Sequence, residues 1–110
     1  MRKVTKIAQA GSIESNDAII TIVPGEAGSG VSTDIESSVL IQYGDAIKQV
    51  IAKTLAEQSI SDVCVKVIDR GALDCTIRAR VLAALLRTGV ELKEVFVDAA
   101  EKNDAVYSGK

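Results

Sequence analysis

The chain contains no histidine and no tryptophan, one proline, two cysteines and only three aromatic residues, Tyr43, Phe96 and Tyr107. Without histidine a Ser-His or Cys-His nucleophile pair is excluded, so a reactive group would have to be brought in from outside. Cys64 and Cys75 are too few for a disulfide scaffold and lack the spacing of a zinc site. Reduced thiols, no metal and a cytoplasmic location are the expectation. Scarce aromatics mean a core of Val, Ile, Leu and Ala, and they remove the stacking platforms that single-strand binding uses. Net charge is −2 with Lys and Arg spread along the chain, which argues against a phosphate-tracking surface and hence against nucleic acid. No stretch approaches the ~18 consecutive apolar residues of a spanning helix. The start, Met1-Arg2-Lys3-Val4-Thr5-Lys6-Ile7-Ala8, is charged and then mixed, so neither a signal peptide nor a membrane anchor is expected.

What is present is a soluble, globular composition: 110 residues, 47% hydrophobic and 25% charged. One domain is expected over residues 1–89, followed by a C-terminal extension, 90–110, partly helical or flexible. Residues 4–10 and 18–23 read as strands, the second β-branched and ending at Pro24. Val31, Thr33 and Ile35 alternate with polar residues, the period of a half-buried strand. Gly25 to Gly30 between them reads as a flexible hairpin connection. Ser37 or Ser38 can cap a helix whose apolar stripe is Leu40, Tyr43, Ile47, Val50, Ile51 and Leu55. Val63, Val65 and Val67 mark a fourth strand ending at Asp69-Arg70-Gly71. A second helix is predicted from Leu73 to about Arg87, stopped by Gly89. Leu92, Val95, Phe96 and Ala99 hint at a further amphipathic turn or two. The order β-β-β-α-β-α gives an α+β, two-layer sandwich: a small, mainly antiparallel sheet with two helices on one face.

Gly25 to Gly30 has the G-x4-G spacing of a phosphate loop, but Val31 stands where the lysine belongs and a strand follows it, so a hairpin loop is the better reading. In the second helix Leu73, Ile77, Val81, Ala84 and Leu85 share one side, Leu82 and Leu86 widen that apolar arc, and Arg78 falls within it. Arg80, Arg87 and Thr76 fall on the opposite, solvated side. A charge in an apolar arc needs a partner, and Asp74 lies one turn back. The expectation is a structural Asp74–Arg78 pair; the alternative is that Arg78, with Arg80, contacts an anionic ligand or partner. Cys75 reads as a small core-facing residue. Glu14-Ser15-Asn16-Asp17 is turn chemistry by composition, since these side chains favour local hydrogen bonds to backbone.

Three blocks carry more than their composition. Gly11-Ser12-Ile13-Glu14-Ser15-Asn16-Asp17, then Asp34 to Val39 with Gln42 to Ile47, then Gly71-Ala72-Leu73-Asp74-Cys75-Thr76-Ile77-Arg78-Ala79-Arg80 resemble, in order and spacing, the acyl carrier protein (gamma chain) of citrate lyase. The resemblance covers roughly residues 3 to 87. It implies a non-catalytic subunit with no catalytic residue of its own. The serine that aligns with Ser15 would carry 2′-(5″-phosphoribosyl)-3′-dephospho-CoA in covalent linkage, flanked by Glu14 and Asp17. The implied partners are a prosthetic-group transferase, a citrate lyase alpha (transferase) subunit that exchanges acetyl for citryl, and a beta (lyase) subunit that cleaves citryl to oxaloacetate. A carrier needs only an accessible hydroxyl, so the missing histidine costs nothing, and the long arm raises the effective concentration of its thiol at neighbouring sites. The alternatives are the acyl carrier of malonate decarboxylase, which uses the same prosthetic group, and an interaction domain without a covalent cofactor.

Overall fold

The structure, a computed structural model, describes residues 3–37 and 40–93. Its elements are β1 (Ala8–Gly11), β2 (Ala18–Pro24), β3 (Val31–Ser37), α1 (Leu40–Glu57), β4 (Val63–Asp69) and α2 (Asp74–Arg87). The order and type match the expectation, with a shorter first strand. Residues 4–7 lie outside it, although Val4 is buried. Ser38, Val95, Phe96 and Ala99 fall outside the described residues.

The four strands form one mixed sheet in the order β1-β2-β4-β3. β1–β2 and β2–β4 pair antiparallel, while β3 and β4 are parallel. The Gly25–Gly30 segment is therefore not a hairpin. β3 is joined to β4 by helix α1, and parallel neighbours need such a crossover. β4 thus takes the place beside β2 that a hairpin would have given to β3. The segment instead docks on the start of β4: the Gly25 N–H donates to the Asp62 carbonyl at 2.7 Å, and the Gly30 N–H to the Asp62 carboxylate at 2.9 Å. The second bond is the main reason the Asp62 carboxyl is held below its ordinary value.

Period-2 alternation sorts the sheet into faces. Ala18, Ile20 and Ile22 of β2 and Val63, Val65 and Val67 of β4 are buried beneath the helices. From α1 come Ile47, Ile51 and Leu55, and from α2 come Ile77, Val81, Ala84 and Leu85. α1 lies over β3, α2 over β1 and β2, and the helices touch each other. This is the two-layer sandwich with both helices on one face. Each fully buried Ile, Leu or Val contributes about 1.5–3 kcal/mol relative to exposure, and the core formed by the described residues is aliphatic. Past α2, where the chain reverses at Gly89, Val90 and Leu92 pack back on this core and Lys93 exchanges two hydrogen bonds with the Gln58 side chain.

Candidate functional site

The pairing register brings Gly11, Ala18, Ser37 and Asp69 to one end of the sheet. The 12–17 loop, the 70–73 loop and the first turn of α2 therefore cluster there. Two of the three sequence blocks, far apart in the chain, meet at this end.

Gly11 starts the loop at φ 110°, and a Cβ there would lie 1.8 Å from the Ala18 carbonyl oxygen. Only glycine lets the two strands close at this point. The Asp17 N–H then donates to the Glu14 carbonyl at 3.1 Å, closing a β-turn with Ser15 and Asn16 in its centre. Asn16 sits at φ 66°, a conformation asparagine tolerates. Two backbone bonds brace the turn from below: Asn16 N–H to the Arg70 carbonyl at 2.7 Å and Arg70 N–H to the Asp17 carbonyl at 2.9 Å.

Asp17 is the keystone of the loop. Its carboxylate accepts two bonds from Arg80, Nε at 2.9 Å and Nη2 at 2.7 Å, a bidentate fork from α2. It also accepts the Ser12 hydroxyl at 2.6 Å and the Ala18 N–H at 2.7 Å. The Arg80 fork first, then Ser12 and Ala18, hold the Asp17 carboxyl far below its ordinary value; the same fork raises Arg80. Arg80 was expected on the solvated side of α2. Instead only 38% of its side chain is exposed and that of Asp17 only 14%.

The two serines of the loop are thereby given different roles. Ser12 is engaged on both sides, donating to Asp17 and accepting the Glu14 N–H at 3.3 Å. Ser15, at the turn, is exposed, and its hydroxyl makes no hydrogen bond among the described residues. Glu14 beside it is also exposed. A hydroxyl on a rigid base with open solvent before it can be reached by a second protein. That is the geometry a covalent attachment point requires.

Three expectations for α2 are corrected. Arg78 pairs with Glu57 at the end of α1, not with Asp74, so the half-buried charge is answered across the helix–helix contact instead of along the helix. Cys75 is exposed, because α2 begins only at Asp74 and its first turn stands clear of the core. For the same reason Leu73, assigned to the apolar arc, is 68% exposed. Asp74 contributes instead as the acidic residue of a first turn that has no side-chain cap.

Sequence reasoning missed the pieces that hold the neighbouring loop. Buried Asp69 accepts the Ala72 N–H at 2.9 Å, shaping the chain between β4 and α2. Beside it opens a cleft of about 680 Å³, lined by Ala46 and Ile47 of α1, Asp69, and Gly71 to Cys75. Gly71 faces the Ser15 turn: the Asn16 Oδ1 lies 3.5 Å from where a Gly71 Cβ would be. Among the described residues no cluster of His, Cys, Asp or Glu could hold a metal, and no helix is long and apolar enough to cross a membrane.

Residues 5–88 match the family described as the acyl carrier, malonate decarboxylase delta subunit. The citrate lyase acyl carrier protein of Streptococcus uberis is 48% identical over 84 residues, 76% of this chain and 81% of the relative. The chain belongs to the citrate lyase acyl carrier protein family. The carrier of Lacticaseibacillus casei is 50% identical over 80 residues, covering 73% of this chain and 77% of that one. Citrate lyase acyl carrier protein 2 of Salmonella paratyphi A is 46% identical over 85 residues, 77% and 87% of the two chains. Among solved structures, a Pseudomonas malonate decarboxylase hetero-tetramer in complex with malonate contains a chain of the same fold. Its TM-score is 0.69 at 19% identity, over 80% of this chain and 89% of that one. Acyl carrier proteins of this family are non-catalytic subunits that carry a prosthetic group.

Proposed function

We propose that the chain carries 2′-(5″-phosphoribosyl)-3′-dephospho-CoA on Ser15 and presents its acyl thioester to the alpha (transferase) and beta (lyase) subunits of citrate lyase. The observation that carries this reading is the contrast between the two loop serines: Ser12 is consumed by Asp17 and Glu14, while the Ser15 hydroxyl is exposed and unbonded among the described residues. The residues fit the group, because a phosphodiester needs a reachable hydroxyl and nothing more from the carrier. Bound there, the group supplies a thiol on a long arm. Asp17 and Arg80 fix the base from which that arm would swing.

Presentation of a malonate decarboxylase arm is the second reading, favoured by the description of the matched family and by the shared fold. Identities of 40–50% to citrate lyase carriers weigh for citrate. Ser15→Ala tests the attachment. Removing one exposed hydroxyl should shift stability by less than ~0.5 kcal/mol. The variant should fold, gain no mass with the transferase and support no citrate cleavage in a reconstituted complex. Normal loading of the variant would contradict the assignment and point to Ser12. Acyl exchange with citrate against malonate separates the two carriers.

A further inference from the structure

The cleft beside the Ser15 turn is not needed to expose a hydroxyl, yet it is built into the same end of the sheet. Its walls are apolar at Ala46, Ile47, Ala72 and Leu73, with the carboxylates of Asp69 and Asp74 beside them and no basic residue among its described lining. About 680 Å³ lies within the range of pockets that enclose small ligands. Gly71 forms part of its wall and also meets Asn16, the residue next to Ser15. The mouth is thus a short step from the attachment point.

We propose that this cleft is a resting site for the distal end of the prosthetic arm: the uncharged amide chain and its thiol or acetyl thioester. The inference rests on Ser15 being the point of attachment. Apolar walls suit the methylene and acetyl groups, and the uncapped first-turn N–H groups of α2 can donate to amide carbonyls. Affinity need not be high. The flexible tether holds the end of the arm near the cleft at roughly millimolar effective concentration, so a site with a Kd of about 1 mM is occupied about half the time. The arm is sheltered when idle and still free to leave for a partner's active site. Charge sets the preference among acyl groups. The exposed Asp74 carboxylate outweighs the roughly half charge at the α2 N-terminus, so an acyl group bearing carboxylates is disfavoured and released.

The test uses the unloaded full chain and free S-acetylpantetheine, followed by backbone amide NMR. Saturable shifts at Ala46, Ala72, Leu73 and Cys75, with a millimolar Kd at least tenfold weaker in Ala46→Trp, are expected. Cys75→Phe, at another exposed position, fills the cleft by a second route should Ala46→Trp not fold. S-succinylpantetheine should bind several-fold more weakly. Absence of saturable shifts, or shifts confined to another face, would overturn the proposal; equal binding of the succinyl probe would overturn its acyl preference. In loaded protein the same resonances should move. Binding of the free probe here with the arm mapped to another serine would refute the Ser15 reading and leave the cleft standing.

Discussion

Arg80 reaches across 63 residues of sequence to grip both carboxylate oxygens of Asp17, at 2.9 and 2.7 Å. The bond joins the second helix to the loop between the first two strands and so fixes the serine two residues before Asp17. It belongs to packing, but its consequence is functional, because a modifying enzyme must find Ser15 in one place.

The depressed Asp17 carboxyl gives this fork a pH signature. A carboxyl whose folded value lies below its unfolded value, ~3.9, contributes stability that is fully present above the unfolded value and lost as pH falls toward the folded one. Asp17→Asn should therefore melt below the parent chain at neutral pH, with a gap that is constant above pH ~5 and closes progressively below pH ~4. Thermal melts by circular dichroism between pH 2 and 8 read this directly. A gap that persisted undiminished at pH 2 would mean the carboxylate charge is not what holds the loop.

Gly11→Ala should be far more harmful than an exposed substitution usually is. The new methyl would meet the Ala18 carbonyl at 1.8 Å, from a φ of 110° that alanine resists. A cost of about 2–3 kcal/mol is expected in urea unfolding, with loss of loading wherever the hairpin opens. A cost under ~0.5 kcal/mol would show that the strands close differently.

Arg78 and Glu57 should be energetically coupled. Both side chains are more than two-thirds covered, 28% and 23% exposed, where α2 meets α1. Arg78→Met and Glu57→Gln should each destabilise by about 1 kcal/mol, and the double variant by less than their sum. Neither should alter transfer of the prosthetic group to a folded chain. Strict additivity, or a coupling of Arg78 with Asp74 instead, would favour the intrahelical pair.

The fold was legible to the degree that its signals were local. Strand alternation at Val63, Val65 and Val67, the α1 stripe at Ile47, Ile51 and Leu55, and the stop at Gly89 all placed elements within a residue or two of where they lie. What was not legible was non-local. Insertion of β4 between β2 and β3 depends on the crossover through α1, which no glycine in the 25–30 segment encodes. Arg80 looked solvated because helical periodicity sees only its own helix, whereas its partner is 63 positions away. Arg78 found Glu57 for the same reason. Cys75 and Leu73 were misplaced because a helix's first turn can stand off the core that its later turns bury. Ser15 itself reads as ordinary turn chemistry; only the ordered combination of blocks singled it out.

The most direct measurement is peptide-level mass spectrometry of the carrier isolated with its complex from its native source. The peptide containing Gly11 to Asp17 should bear the added mass of the phosphoribosyl-dephospho-CoA group, and fragmentation should place it on Ser15. Modification of Ser12 instead, or an unmodified peptide from a complex that cleaves citrate, would contradict the account.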